Sequence, residues 1–161
     1  MEVEVSEVEV VGLRGAALPE LPTVYDAEGG ILEVPILPDE SWLHGIDFDA
    51  LVIVDLAGDL ALANIDLLLP ADRWQTRAPV EPRRRARGGH RALLARDLVE
   101  RRSIRSDPRA YISPDGSRLH IAVTDDEEVD MAAALTSHCE LLVREGRIAG
   151  FSARLPDGLP R

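Results

Sequence analysis

The chain reads as an α+β protein. Two hairpin–short helix–hairpin halves form a mostly antiparallel sheet system, with an Arg-rich helix between them. Three observations predict this. Residues 51–70 form a hydrophobic hairpin: Leu-Val-Ile-Val-Asp, a turn over Asp55–Asp59, then Leu60 to Pro70. The same order of elements returns after residue 110. The stretch between the halves differs in kind, because Arg73 to Arg109 holds twelve Arg against four acids, a balance of +8.

At 161 residues the chain fits one domain, or two small halves sharing a core. The boundaries read from sequence are 1–72, an Arg-rich connector 73–108 with a helix at about 90–102, and 109–161. Net charge is −11, which argues against a general binder of nucleic acid or anionic membrane. All 18 basic residues are Arg, read here as base composition before function. A single Cys excludes an internal disulfide. The acidic start and the lack of any apolar run of about 18 residues point to a soluble cytoplasmic protein.

Residues 2–11 alternate Glu and Val, predicting a strand with one slip of phase, and 12–22 a Gly/Pro-rich connection. A hairpin follows over 23–36, turning at Asp26–Gly30, with Pro35 at a strand end or edge. Residues 37–45 predict one short helical turn stopped by Gly45. In the central hairpin, Leu51–Asp55 reads as a strand buried on both faces, with Gly58 free to take positive φ. Leu60/Leu62 and Ile65/Leu67/Leu69 fall on opposite parities, so a β-bulge is expected near Asn64. The expected core is Val52, Ile53, Val54, Leu67, Leu142 and Phe151. Residues 77–89, with Pro79, Pro82 and three consecutive Arg, read as a mobile connector; 90–102 has helical spacing around Leu94 and Leu98.

Beyond Pro108, Tyr111–Val123 predicts a hairpin with a Pro-Asp-Gly turn. Thr124–Glu127 is a capping-box pattern opening a helix to about Ser137. Residues 140–156 form a last hairpin, turning at Glu145-Gly146. Leu69-Pro70 recurs as Leu155-Pro156 at an offset of 86, while Leu60 matches Ile148 and Ile31 matches Leu119 at 88. A tandem duplication is the expectation. The pattern Tyr25–Val34 followed by Leu51–Leu60 resembles a small uncharacterised bacterial domain family, rich in β-hairpins, in which a Tyr-Asp hairpin precedes an Asp-rich turn. The likeness covers residues 23–70 and, faintly, 110–156, and implies no activity.

Chemistry is sparse. His138 and Cys139 are neighbours on a strand and so point to opposite faces, which excludes a dyad. His44, His90 and His120 have no metal-ligand spacing, and no nucleophile elbow or phosphate loop occurs. The acids at 125–130 fit helix capping better than a cation loop. No catalytic, cofactor-binding or metal residue is assigned and no cofactor is implied. The interaction candidates are Arg83, Arg84, Arg85, Arg87, Arg91, Leu94 and Leu98. They suit docking on an acidic face, the chain's own or a twin subunit's. They suit nucleic acid less, because no aromatic residue interleaves with the arginines from Arg77 to Arg109. The expected function is a non-enzymatic binding or protein-interaction module, with a homodimer as one arrangement. The alternatives are a small hydrolase with Asp and His residues in a cleft between the halves, and a nucleic-acid binder acting through the Arg-rich connector.

Overall fold

The computed structural model describes residues 2–4, 9–96, 103–124 and 128–157. Strands β1 (Glu2–Glu4) and β2 (Val10–Ala16) open it. The N-terminal half supplies β3 (Val24–Asp26), β4 (Ile31–Pro35), β5 (Trp42–Phe48), β6 (Val52–Ala57) and β7 (Leu62–Leu67). The middle supplies β8 (Gln75–Thr76), β9 (Arg84–Leu94) and β10 (Ser103–Arg105). The C-terminal half supplies β11 (Arg109–Ile112), β12 (Arg118–Ala122), β13 (Met131–Thr136), β14 (Cys139–Arg144) and β15 (Arg147–Arg154). One 3-10 turn, Ala71–Arg73, is the only helical element among the described residues.

The protein is therefore nearly all β, and the α+β expectation is wrong. The predicted Arg-rich helix begins where β9 is still a strand: residues 90–94 pair with β2, and β13 pairs with the preceding Arg84–Gly89. Residues 97–102, with Leu98, lie outside the described residues. The connector 77–89 is also misread, since Arg84–Gly89 belong to the same strand. The helix expected up to Ser137 is strand β13 over Met131–Thr136; residues 125–127 of its capping box are outside the described residues. Around 37–45 a single turn, Glu40 N–H to Leu37 O, gives way at Trp42 to β5. The physical reason is common to all. Helix propensity differs by tenths of a kcal/mol per residue. Strand pairing and burial of one face outweigh it.

Two mixed sheets result. The first runs β1-β10-β5-β6-β7-β4-β3 and the second β2-β9-β13-β14-β15-β12-β11-β8. The five-strand order β5-β6-β7-β4-β3 of the first recurs in the second as β13-β14-β15-β12-β11. Pairing within each set of five is antiparallel; parallel pairing enters where β1, β8, β9 and β10 join. The predicted strand over 2–11 is divided, since β1 and β2 lie in different sheets and β2 runs into the predicted connection.

The bulges also recur. Asp55 pairs with Asn64 and Leu56 with Leu62, skipping Ala63; Leu142 pairs with Gly150 and Val143 with Ile148, skipping Ala149. Ile148 thus stands where Leu62 does, at an offset of 86, rather than opposite Leu60. Leu119 likewise corresponds to Leu32, at 87, since each pairs with the position on the last strand that Leu67 and Ala153 share.

One hydrophobic cluster joins inner faces of both sheets, including Leu32, Val34, Phe48, Val52, Val54 and Ile65 from the first and Leu119, Ile121, Leu141 and Phe151 from the second. Of the expected core, Ile53 is the exception. Burial alternates along β6, so Val52 and Val54 are buried while Ile53 is half-exposed on the outer face. The strand is not covered on both sides. Gly58 does not take positive φ either; Leu60 does, at 70°.

Candidate functional site

The outer face of the second sheet carries a transverse row of directly paired residues: Tyr111, His120, Ser152, Glu140 and Ala134 on β11, β12, β15, β14 and β13. Alternation places them there. In β12, Leu119 and Ile121 fill the core while Arg118 and His120 face outward. The segment 77–83 crosses above this row. Main-chain bonds hold its ends, Arg77 N–H to Ile112 O at 2.9 Å and Arg83 N–H to Val129 O at 3.0 Å. Val80 anchors its middle on Val129, Ala132, Leu142 and Ala149. Leu18 closes another side, and Gly89 permits its approach, because a Cβ there would lie 2.8 Å from Ala16 O and 3.1 Å from Leu18 Cα.

The cleft so enclosed has a volume of about 540 Å³. Among the described residues, four arginines line it, Arg77, Arg85, Arg118 and Arg154, against two carboxylates, Glu81 and Glu140. Glu140 is the more enclosed of the two, its side chain 17 % exposed. Arg85 Nε donates to its Oε2 at 3.2 Å and Arg118 Nη1 to its Oε1 at 3.4 Å. Arg118 also reaches Ser152 Oγ at 3.4 Å. The Arg77 guanidinium lies 4.9 Å from the centre of the Tyr111 ring, a cation–π contact, and that ring tilts against His120 at 6.0 Å.

Burial, then the positive charge of Arg77, pushes His120 down to about 4, so at neutral pH it is an uncharged imidazole. Burial, reinforced by Glu140, pushes the Cys139 thiol up to about 12, which removes the thiolate that reactivity requires. On the rim, Ser137 Oγ lies 2.8 Å from His138 Nδ1. At the adjoining turn, the Asp115 carboxylate is held down at about 2 by hydrogen bonds from Ser113 and Ser117.

The sequence-derived interaction candidates do not gather at one place. Arg85 lines the cleft. Arg83, Arg84 and Arg87 are exposed. Arg91 instead ties the sheets together: Nε and Nη2 donate to Asp59 at 2.8 and 2.9 Å, and Nη1 and Nη2 to Glu40 at 2.5 and 2.6 Å. Leu94 is buried in the chain's own core. Sequence reading missed Arg77, Arg118, Arg154, Tyr111, Ser152 and Glu140. Only the register joins them, and nothing in their spacing announces it. The hydrolase expectation asked for Asp and His residues in a cleft between the halves. His120 is in the cleft of the second sheet, but among the described residues no aspartate lines it. Among the described residues, no three His, Cys, Asp or Glu side chains converge to hold a metal ion, and no helix is long and apolar enough to cross a membrane.

In comparisons with known proteins, no family model matches the chain, and no curated protein matches it. The resemblance of residues 23–70 to a hairpin-rich bacterial family has nothing there to extend it.

Proposed function

We propose that the protein is a binding module that holds a small anionic molecule in the cleft of the second sheet. One observation carries this reading: a chain of net charge −11 places four arginines against two glutamates around a single cleft of about 540 Å³. That volume lies within the range of small-molecule pockets. Guanidinium groups are the side chains best suited to bidentate recognition of carboxylate or phosphate oxygens. Val80, Leu142 and the ring of Tyr111 offer apolar surface beside them.

The reading is of binding rather than catalysis because the reactive groups are held in quiet forms. Cys139 stays protonated, and an imidazole pushed down to about 4 is a weak base. Glu81 and Glu140 balance two of the four arginines, so the lining keeps a net charge of about +2 for the ligand, beside the uncharged His120. We also read the recurring strand order and bulge as the mark of a tandem duplication in which only the second copy acquired this cleft.

The test is calorimetric titration of the whole chain with inorganic phosphate, a nucleoside monophosphate, and di- and tricarboxylates. At least one should bind at one site per chain. Its affinity should fall with salt and drop at least tenfold in both Arg154→Gln and Arg118→Gln. Binding should also raise the His120 pKa, read by ring-proton NMR, because a nearby anion favours the imidazolium. If none of these probes binds, or binding survives both substitutions, the reading fails. If a single-stranded oligonucleotide binds instead, through Arg83, Arg84 and Arg87, the nucleic-acid alternative takes its place.

A further inference from the structure

Residue for residue, the cleft row of the second sheet has a counterpart in the first. Tyr111, His120, Ser152, Glu140 and Ala134 correspond to Val24, Glu33, Asp66, Ile53 and Asp47, which pair in the same order. The two rows differ in what lies on them. In the second sheet, β8 pairs in parallel with the outer edge of β11, and the chain then crosses the face. In the first, β3 is the end strand, with no further strand on it among the described residues, and Val24 is 56 % exposed. The face beside it bears Glu33, Asp47, Asp55 and Asp66. Asp55 and Asp66 both accept from the Asn64 amide, at 3.3 and 3.2 Å, and among the described residues no cation contributes to the environment of either.

We propose that the edge of β3 and the acidic face beside it receive an extended basic segment of a partner protein. The segment would add in parallel as β8 does on β11, then cross Asp66 and Asp55. Two features argue for this occupant. The chain's own counterpart segment shows that this strand pairing and crossing are stereochemically available on the same five-strand framework. The face is acidic where the covered one is Arg-lined, so its complement is cationic. By correspondence with Ile112, whose carbonyl accepts from Arg77, the accepting carbonyl on β3 is that of Tyr25. This inference does not depend on the anion cleft.

The probe is a fluorescently labelled peptide with the sequence of residues 74–85, net +3 from four Arg and one Glu. It is titrated into the intact protein and followed by anisotropy and by backbone NMR. We expect saturable one-to-one binding with chemical-shift changes at Val24–Asp26. Affinity should weaken at least tenfold in Asp55→Asn/Asp66→Asn, and equally for a peptide N-methylated at the position of Arg77, which cannot donate to Tyr25 O. The N-methylated control leaves the protein untouched, so its result stands even if the double variant is perturbed. Absence of binding overturns the proposal, as does undiminished binding of the N-methylated peptide. Shifts confined to Tyr111–Ile112 would mean exchange with the chain's own β8 and overturn it too. Concentration-dependent self-association through Val24–Asp26 without peptide would make a second copy the occupant and also overturn it.

Discussion

The carbonyl of Leu60 accepts a hydrogen bond from the amide of Leu94 at 3.0 Å, although Leu60 must adopt a φ of 70° to present it. The corresponding turn of the second half does the same with Gly146, φ 75°, whose carbonyl accepts from Val10 at 2.8 Å. Neighbouring bridges, Ala61 with Leu93 and Glu9 with Arg147, complete the equivalence. Each half therefore closes its second hairpin on one of the adjacent strands β9 and β2. One half uses the residue that takes positive φ at no steric cost. The other uses a leucine, 7 % exposed, that also fills the core.

That contrast makes an unusual order of stabilities. Truncating a buried leucine to alanine costs about 2–5 kcal/mol. Glycine in an extended site is normally worse than alanine by about 0.5–1 kcal/mol. At position 60 the order should invert, with Leu60→Gly at least as stable as Leu60→Ala, because only glycine relieves the left-handed strain. Urea melts of the two variants decide it. Alanine more stable than glycine by the usual margin would show that the strain is not there.

Adjacent residues of β6 should respond oppositely to charge. Val54 is fully buried, so Val54→Asp places a carboxylate in the core at a cost of several kcal/mol, comparable with a total stability of roughly 5–15. Ile53→Asp adds a charge to the outer face, between its partners Asp47 and Asp66. It should cost about 1 kcal/mol, less with added salt. Circular dichroism melts of both variants test the pair; similar losses would contradict the alternation of β6.

Gly150 is the close-approach glycine of the second half. A Cβ there would stand 2.2 Å from Ile121 O, a main-chain atom that cannot swing away. Gly150→Ala should lower stability by about 1–3 kcal/mol through forced separation of β12 and β15. Gly15→Ala, which meets nothing within 4 Å, is the matched control. Equal melting temperatures for the two variants would refute the close packing.

Asp55 and Asp66 carry a pH dependence of definite sign. Burial, the largest cause for each, raises both above the ordinary 3.8, and Glu33 and Asp55 add to the rise at Asp66. An acid raised in the folded state binds its proton more tightly there than in the unfolded chain. Stability therefore falls as pH climbs from 3.8 through the raised value, and the loss is complete above it. Asp55→Asn should melt higher than the parent at pH 7. The advantage should shrink towards pH 3, where both forms of the parent are protonated. A difference in melting temperature that is constant from pH 3 to 7 would show that titration is not its source.

What the sequence determined by itself is local. Asp26–Gly30, Pro114-Asp-Gly116 and Glu145-Gly146 mark turns because Gly, Asp and Pro bias their own backbone, and Gly30, Gly116 and Gly146 do take positive φ. The slip between Leu62 and Ile65 registers as the bulge at Ala63, since one extra residue exchanges the faces of a strand. The tertiary structure decided the rest. Residues 90–94 and 131–136 are rich in Ala and Leu and suit a helix in isolation. They are strands because 131–136 lie between β9 and β14 while 90–94 pair with β2 and bond to the turn at Leu60–Ala61, and the hydrogen bonds and burial gained there exceed a weak local preference. The cleft is the extreme case. Arg85 meets Glu140 across 55 residues, and His120 meets Ser152 across a register that no short-range pattern encodes. Only the folded sheet, with the chain drawn over it, gives those side chains a common site.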